Sequence, residues 1–151
     1  MTGQTLYFLR HAETVTGSSG FFGSTDVDLS EAGKRAAARL PAHWHGAAPR
    51  MIYTSDRLRA RMSAAALSEH LRLQPRVDAR FNEMDFGRWE GLSWAEIERV
   101  TPQLARRWSE DWVAQCAPDG ESFELLHQRV REQGEAFRVI AQVCATVGLL
   151  R

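Results

Sequence analysis

Thr5-Leu6-Tyr7-Phe8-Leu9-Arg10-His11-Ala12-Glu13-Thr14 is the stretch from which the rest of the chain is read. Its first five residues are apolar and aromatic-rich, which predicts a strand buried on both faces, as strands of parallel sheets are. Charge begins abruptly at Arg10. In open α/β sheets ligands bind at the carboxyl ends of strands, and Arg10-His11 occupies such an end. Residues 12–28, rich in Gly, Ser, Thr and Asp, are expected to form an ordered loop.

Beyond that loop, Ser30 reads as a helix N-cap with Glu31 in the first turn. The helix runs through the alanines 36–38 to Leu40 and ends before Pro41. Met51 to Thr54 is predicted as a second strand. Ser55 or Asp56 is expected to cap the next helix, which extends to about Leu71, and Pro75 to Ala79 reads as a third strand. A loop rich in aromatics, Phe81 to Gly91, precedes the capping-box pattern Ser93-x-x-Glu96. Thr101-Pro102 predicts a helix through Trp108 to Trp112. Pro118-Asp119-Gly120 is a turn. Phe123, Leu126, Val130, Phe137 and Ile140 then form one apolar stripe on a long helix, and Thr146 to Leu150 begins a further strand. Strands alternating with helices predict an α/β fold with a mostly parallel sheet. With 151 residues and no repeat or linker, residues 1–151 read as a single domain.

Nineteen basic and nineteen acidic residues cancel, so no bulk field recruits nucleic acid or an anionic membrane, and neither is expected as a partner. Any anion must be held by a local cluster. Cys116 and Cys144 lie outside any CxxC pattern, which fits a reducing compartment. The apolar run Leu6 to Leu9 is too short for a signal-peptide core or a membrane span, so a cytoplasmic protein is expected.

Three blocks carry candidate chemistry. Arg10 offers a planar fork of donors that matches phosphate oxygens, and the His11 imidazole beside it can attack phosphorus; the alternative is a strand-end histidine bonded to backbone. Arg59, in the first turns of the second helix, can return to the same crevice or serve structure only. Arg57 and Arg61 read as solvated surface charges. In Phe81 to Gly91, Glu83 sits among aromatics that would raise its pKa and let it hold a proton for a leaving alkoxide. Asp85 and Glu90 are its rivals, and all three acids could instead brace loops.

Together these blocks resemble the histidine phosphatase superfamily, which includes the cofactor-dependent phosphoglycerate mutases. Leu9-Arg10-His11-Ala12-Glu13-Thr14 is similar to its Arg-His-Gly signature. Gly23-x-x-Asp26-x-x-Leu29-Ser30-x-x-Gly33, Ser55-x-x-x-Arg59-Ala60-x-x-Ser63-Ala64 and Glu83-x-x-Phe86-Gly87-x-Trp89-Glu90-Gly91 match its later blocks. So does Pro118-x-Gly120-Glu121-Ser122 with Arg129-Val130. The resemblance covers nearly the whole chain. It implies a three-layer phosphoglycerate mutase-like fold with a helical lid insertion. By the same resemblance His11 is the phosphorylated nucleophile and Glu83 the acid/base. Arg10 and Arg59 clamp the phosphate, with Thr14, Gly23 and Ser24 as further substrate-binding positions. No metal or organic cofactor is implied. The implied substrate is a small phosphate monoester, with α-ribazole phosphatases and other small-molecule phosphatases the most similar members. A phosphoryl mutase, or a degenerate protein that only binds phosphate, are the alternatives.

The chain departs from the family pattern in three places. Ala12 replaces a glycine, and Gly17 stands where many members carry a phosphate-binding asparagine. The family's second histidine follows the strand after the long helix, whereas this chain ends at Arg151 before such a segment. The chain as written is therefore expected to be a fragment, incomplete at its C-terminus, or an inactive and poorly stable product. His43, His45, His70 and His127 are expected at surface or boundary positions, not as substitutes. His43-x-His45 has no third ligand at a metal-site spacing.

Overall fold

The computed structural model describes residues 7–137. Helix α1 (Glu31–Arg39) starts where the sequence places it. Ser30 is extended, and its hydroxyl accepts the Gly33 N–H at 3.0 Å, a cap that contributes about 1 kcal/mol. Pro41 ends the α-helix by entering a 3₁₀ turn, Leu40–His43. α1 buries Gly33 and Ala37 and packs on α2 (Leu58–Leu71).

The start of α2 differs from expectation. Its N-cap is Arg57, which makes no side-chain cap bond, and neither Ser55 nor Asp56 takes that role. The free Leu58 N–H instead donates to Asp26 Oδ1 at 2.6 Å, so a carboxylate from the loop before α1 caps α2 from outside. α2 ends at Arg72, which turns left-handed at φ 55°.

α2 is the crossover between two short parallel strands. β1 (Tyr53–Thr54) pairs with β2 (Arg76–Val77), Tyr53 opposite Arg76 and Thr54 opposite Val77. Both are shorter than the predicted Met51–Thr54 and Pro75–Ala79. The predicted first strand is not formed among the described residues. Tyr7, Phe8 and Leu9 are exposed and pair with no strand, because a strand buried on both faces needs a neighbour on each edge. Tyr7 instead sets its ring edge-on to Trp44 at 4.8 Å.

The core lies beneath the second half of the described chain. Met84, Phe86, Trp89, Ile97, Ala105, Ala117, Leu126 and Val130 form one buried cluster. Helices α3 (Trp94–Val100) and α4 (Pro102–Glu110) make the helical insertion above it. The Ser93/Glu96 capping box that opens α3 is complete. Thr101 precedes Pro102 as predicted but does not cap α4 with its side chain. Its hydroxyl is committed elsewhere: it accepts the Trp89 indole N–H at 3.0 Å and donates to the Ile97 carbonyl at 3.0 Å. α4 stops at Glu110 and does not reach Trp112. The Asp111 carboxylate takes the Ala114 N–H at 3.2 Å, a local bond that competes with continuing the helix. Trp112 then meets the ring of Phe123 at 4.9 Å. The 118–120 turn is present, with Asp119 left-handed at φ 60°. α5 (Phe123–Phe137) buries Leu126 and Val130, as the stripe predicts. Ile140, Cys144 and the strand predicted at Thr146–Leu150 lie outside the described residues. Among the described residues, no helix is long and apolar enough to cross a membrane.

Candidate active site

His11 follows the extended segment 7–10 and is half-buried. Its ring Nδ1 lies 2.8 Å from the Ala12 carbonyl oxygen. A carbonyl only accepts, so Nδ1 carries the hydrogen and Nε2 is left with the lone pair in the neutral ring. Burial lowers the His11 pKa from its ordinary 6.5. The bond to Ala12 opposes this, while the charges of Arg59 and Arg10 add to the lowering. The Ala12 N–H donates to the Ser63 hydroxyl at 2.8 Å, and that hydroxyl donates to the Arg59 carbonyl at 2.7 Å. One serine therefore locks the histidine loop to the first turns of α2.

Arg59 is only 4% exposed. It donates to the Gly23 carbonyl at 2.7 Å and to the Thr25 carbonyl at 3.0 Å. Burial pulls its pKa down, and the negative charges of Glu83 and Glu90 push the other way. Arg57 corrects the sequence expectation. It is not a solvated charge: it donates to the Ser24 carbonyl at 2.7 Å and is partly buried. Arg61 is exposed as expected.

Among the three acids of the aromatic loop, burial raises the Glu83 pKa above its ordinary 4.5. The Met84 N–H, 3.0 Å from Oε1, opposes that rise, as do the charges of Arg59, Arg10 and Arg129. The same two cations, Arg59 and Arg10, thus act on both the His11 ring and the Glu83 carboxyl. The two rivals are engaged in bracing loops. Asp85 Oδ1 accepts the Ser24 hydroxyl and the Gly87 N–H, each at 2.8 Å. Burial would raise the pKa of Glu90, but hydrogen bonds from Thr25, Ser24 and Phe86 outweigh it and hold the group below 4.5.

The remaining predicted positions are also located. Thr14 is buried, bridges Leu29 and shares a hydrogen bond with the Thr16 hydroxyl at 3.0 Å. Gly23 and Ser24 lie beside Arg59, but both of their N–H groups go to Glu90. Gly23 can carry no side chain, since a Cβ there would collide with the Met84 carbonyl. Gly17 is left-handed at φ +55° with nothing within 4 Å, a conformation that asparagine also tolerates. His43, His45, His70 and His127 are exposed, and no cluster of three metal-ligating side chains occurs among the described residues. Sequence reasoning did not find the bracing roles of Arg57, Ser63 and Arg129, and raised that of Glu90 only as an alternative shared with Glu83 and Asp85. Arg129 pairs with Glu121 at 2.7 Å and donates to the Asn82 carbonyl at 3.0 Å, next to Glu83. Only the periodic placement of Ser63 one turn after Arg59 carries a readable signal.

Parallel strands joined by a helix, with Arg57 and Arg59 at the start of that helix, define an α/β protein. The chain belongs to the histidine phosphatase superfamily (branch 1), whose profile matches residues 6–141. It is 36% identical over 121 residues to a glucosyl-3-phosphoglycerate phosphatase of Mycobacterium tuberculosis, covering 80% of this chain and 53% of that protein. It is 32% identical over 127 residues to phosphoserine phosphatase 1 of Hydrogenobacter thermophilus, covering 83% of this chain and 60% of that protein. The fold matches the crystal structure of an α-ribazole phosphatase from Shigella flexneri with a TM-score of 0.80. That match has 24% identity and covers 86% of this chain and 65% of that one. The chain spans about half the length of the curated relatives it matches.

Proposed function

We propose that this chain carries the phosphoryl-transfer machinery of a phosphatase that acts on small phosphate monoesters, in one domain and in the cytoplasm. The observation that carries the reading is the His11 ring. Its Nδ1 hydrogen is fixed on a carbonyl, and it lies within the fields of Arg10 and Arg59 and of neither rival acid. Burial and the two cations keep the ring neutral, which is the nucleophilic form. Nε2 attacks phosphorus and the P–O ester bond breaks. The departing alkoxide takes its proton from the Glu83 carboxyl, whose protonated form burial favours. Water then attacks the phosphohistidine and gives a proton back to the Glu83 carboxylate. Inorganic phosphate leaves and the His11 lone pair is restored. Arg10 and Arg59 spread positive charge over the phosphoryl oxygens throughout, with Thr14, Gly23 and Ser24 shaping the pocket wall. The relatives named for glucosyl-3-phosphoglycerate and phosphoserine both act on small esters, which supports that substrate class.

The test is chemical trapping. Protein mixed with a radiolabelled monoester and quenched in alkali should hold acid-labile, base-stable phosphate, and His11→Ala should hold none. Equal ester turnover by the parent and the His11→Ala variant would overturn the reading.

A further inference from the structure

Glu90 receives the N–H groups of three consecutive residues. Oε1 accepts from Gly23 at 2.9 Å and Ser24 at 2.8 Å, and Oε2 from Gly23 and Thr25, both at 3.1 Å. Oε1 also takes the Phe86 N–H at 3.1 Å. The carbonyls of the same three residues face the other way and receive arginine: Gly23 and Thr25 from Arg59, Ser24 from Arg57. The Ser24 N–H and the Gly23 carbonyl belong to one peptide group and the Thr25 N–H and the Ser24 carbonyl to the next, so one peptide links Glu90 to Arg59 and its neighbour links Glu90 to Arg57.

We propose that Glu90 is a positioning residue for phosphate binding, acting on Arg59 through the peptide group that joins Gly23 to Ser24. The Ser24 N–H bonded to the carboxylate polarises that peptide and strengthens the Gly23 carbonyl as an acceptor, while the bonds to Gly23 and Thr25 fix the loop on either side. The carbonyls of Gly23 and Thr25 hold one edge of the guanidinium and set its rotation. A planar fork grips an oxyanion only when so oriented, and small misplacements of positioned groups cost large factors in rate. The inference rests on the phosphatase reading.

The sign of the effect separates positioning from simple charge. Glu90→Gln removes a negative charge that acts on Arg59, so a purely electrostatic bystander would bind phosphate more tightly after the change. The positioning role requires the opposite, because one carboxylate oxygen becomes an NH₂ that cannot accept, and the amide oxygen that remains is uncharged and cannot hold all the backbone N–H groups that the two oxygens share. Affinity for inorganic phosphate is measured by calorimetry on the full chain, with thermal melting as a fold control. Glu90→Gln is expected to weaken phosphate binding by about tenfold. Glu90→Asp, which keeps the charge and shortens the reach, should weaken it in the same direction and serves if the glutamine variant does not fold. In an Arg59→Lys background, Glu90→Gln should add little, because the fork it orients is gone. Unchanged or tighter binding by Glu90→Gln, or additive losses in the double variant, would overturn the proposal alone. A parent protein that binds no phosphate would overturn the phosphatase reading together with it.

Discussion

His11 and Glu83 have pKa values displaced toward each other, one down from 6.5 and the other up from 4.5. Phosphorylation needs the histidine neutral and the carboxyl protonated. The pH dependence is therefore expected to be bell-shaped, one limb set by the histidine and the other by the carboxyl. Arg129 acts on Glu83 and is not among the charges acting on His11. Arg129→Met should move the limb of kcat/KM set by Glu83 to higher pH and leave the limb set by His11 in place. Glu83→Gln should cut turnover by about 10²–10⁴. Its stability effect has a definite sign. A carboxyl whose folded pKa is raised stabilises the fold below 4.5 and loses that contribution as pH rises through the folded value. The melting temperature of Glu83→Gln relative to the parent should thus increase on going from acid to neutral pH. The order Arg10, His11, Arg59, Glu83 is written in short motifs, and the roles proposed for these residues rest on that order. Glu90 was readable as a rival acid or a loop brace but not as the partner of residues 23–25, because its partners are main-chain N–H groups that any residue would supply. Nothing in the identities of Gly23, Ser24 or Thr25 reports where those groups point.

At the scale of elements the same division appears. The caps of α1 and α3 were legible because donor and acceptor lie three residues apart. The cap of α2 was not, because Asp26 and Leu58 meet only after α1 has folded between them. Replacing Asp26 with Ala should cost about 1 kcal/mol, read from the urea midpoint at constant slope. The loss should fall on α2 and so loosen the turn that carries Arg59. Among the described residues, the part of the predicted first strand at Tyr7 to Leu9 is not assigned as strand. Hydrophobic patterning shows that Tyr7, Phe8 and Leu9 suit burial, but burial itself depends on neighbours that a linear pattern does not locate. The short ends of β1 and β2 follow from the same limit.

Over the whole molecule, the buried cluster gathers residues from 84 to 130, so the mass of the core sits under the helical insertion and α5. Ile97 is its most enclosed member, with no exposed surface. Ile97→Ala should destabilise the protein by about 2–5 kcal/mol, measured by denaturant unfolding. The insertion is therefore part of the framework, and the Phe81–Gly91 loop that carries Glu83 is anchored in it through Met84, Phe86 and Trp89.

The link from Glu90 back to residues 23–25 has a bearing on birth order at the ribosome. Nucleophile, guanidinium and loop are all synthesised well before the carboxylate that organises the loop. Such pairings, 65 to 67 positions apart, close late because the intervening polymer must first surrender its freedom. A nascent polypeptide halted short of that glutamate would hold its arginines without the scaffold that aims them, and its competence should switch on only after the Trp89-Glu90-Gly91 segment clears the exit tunnel.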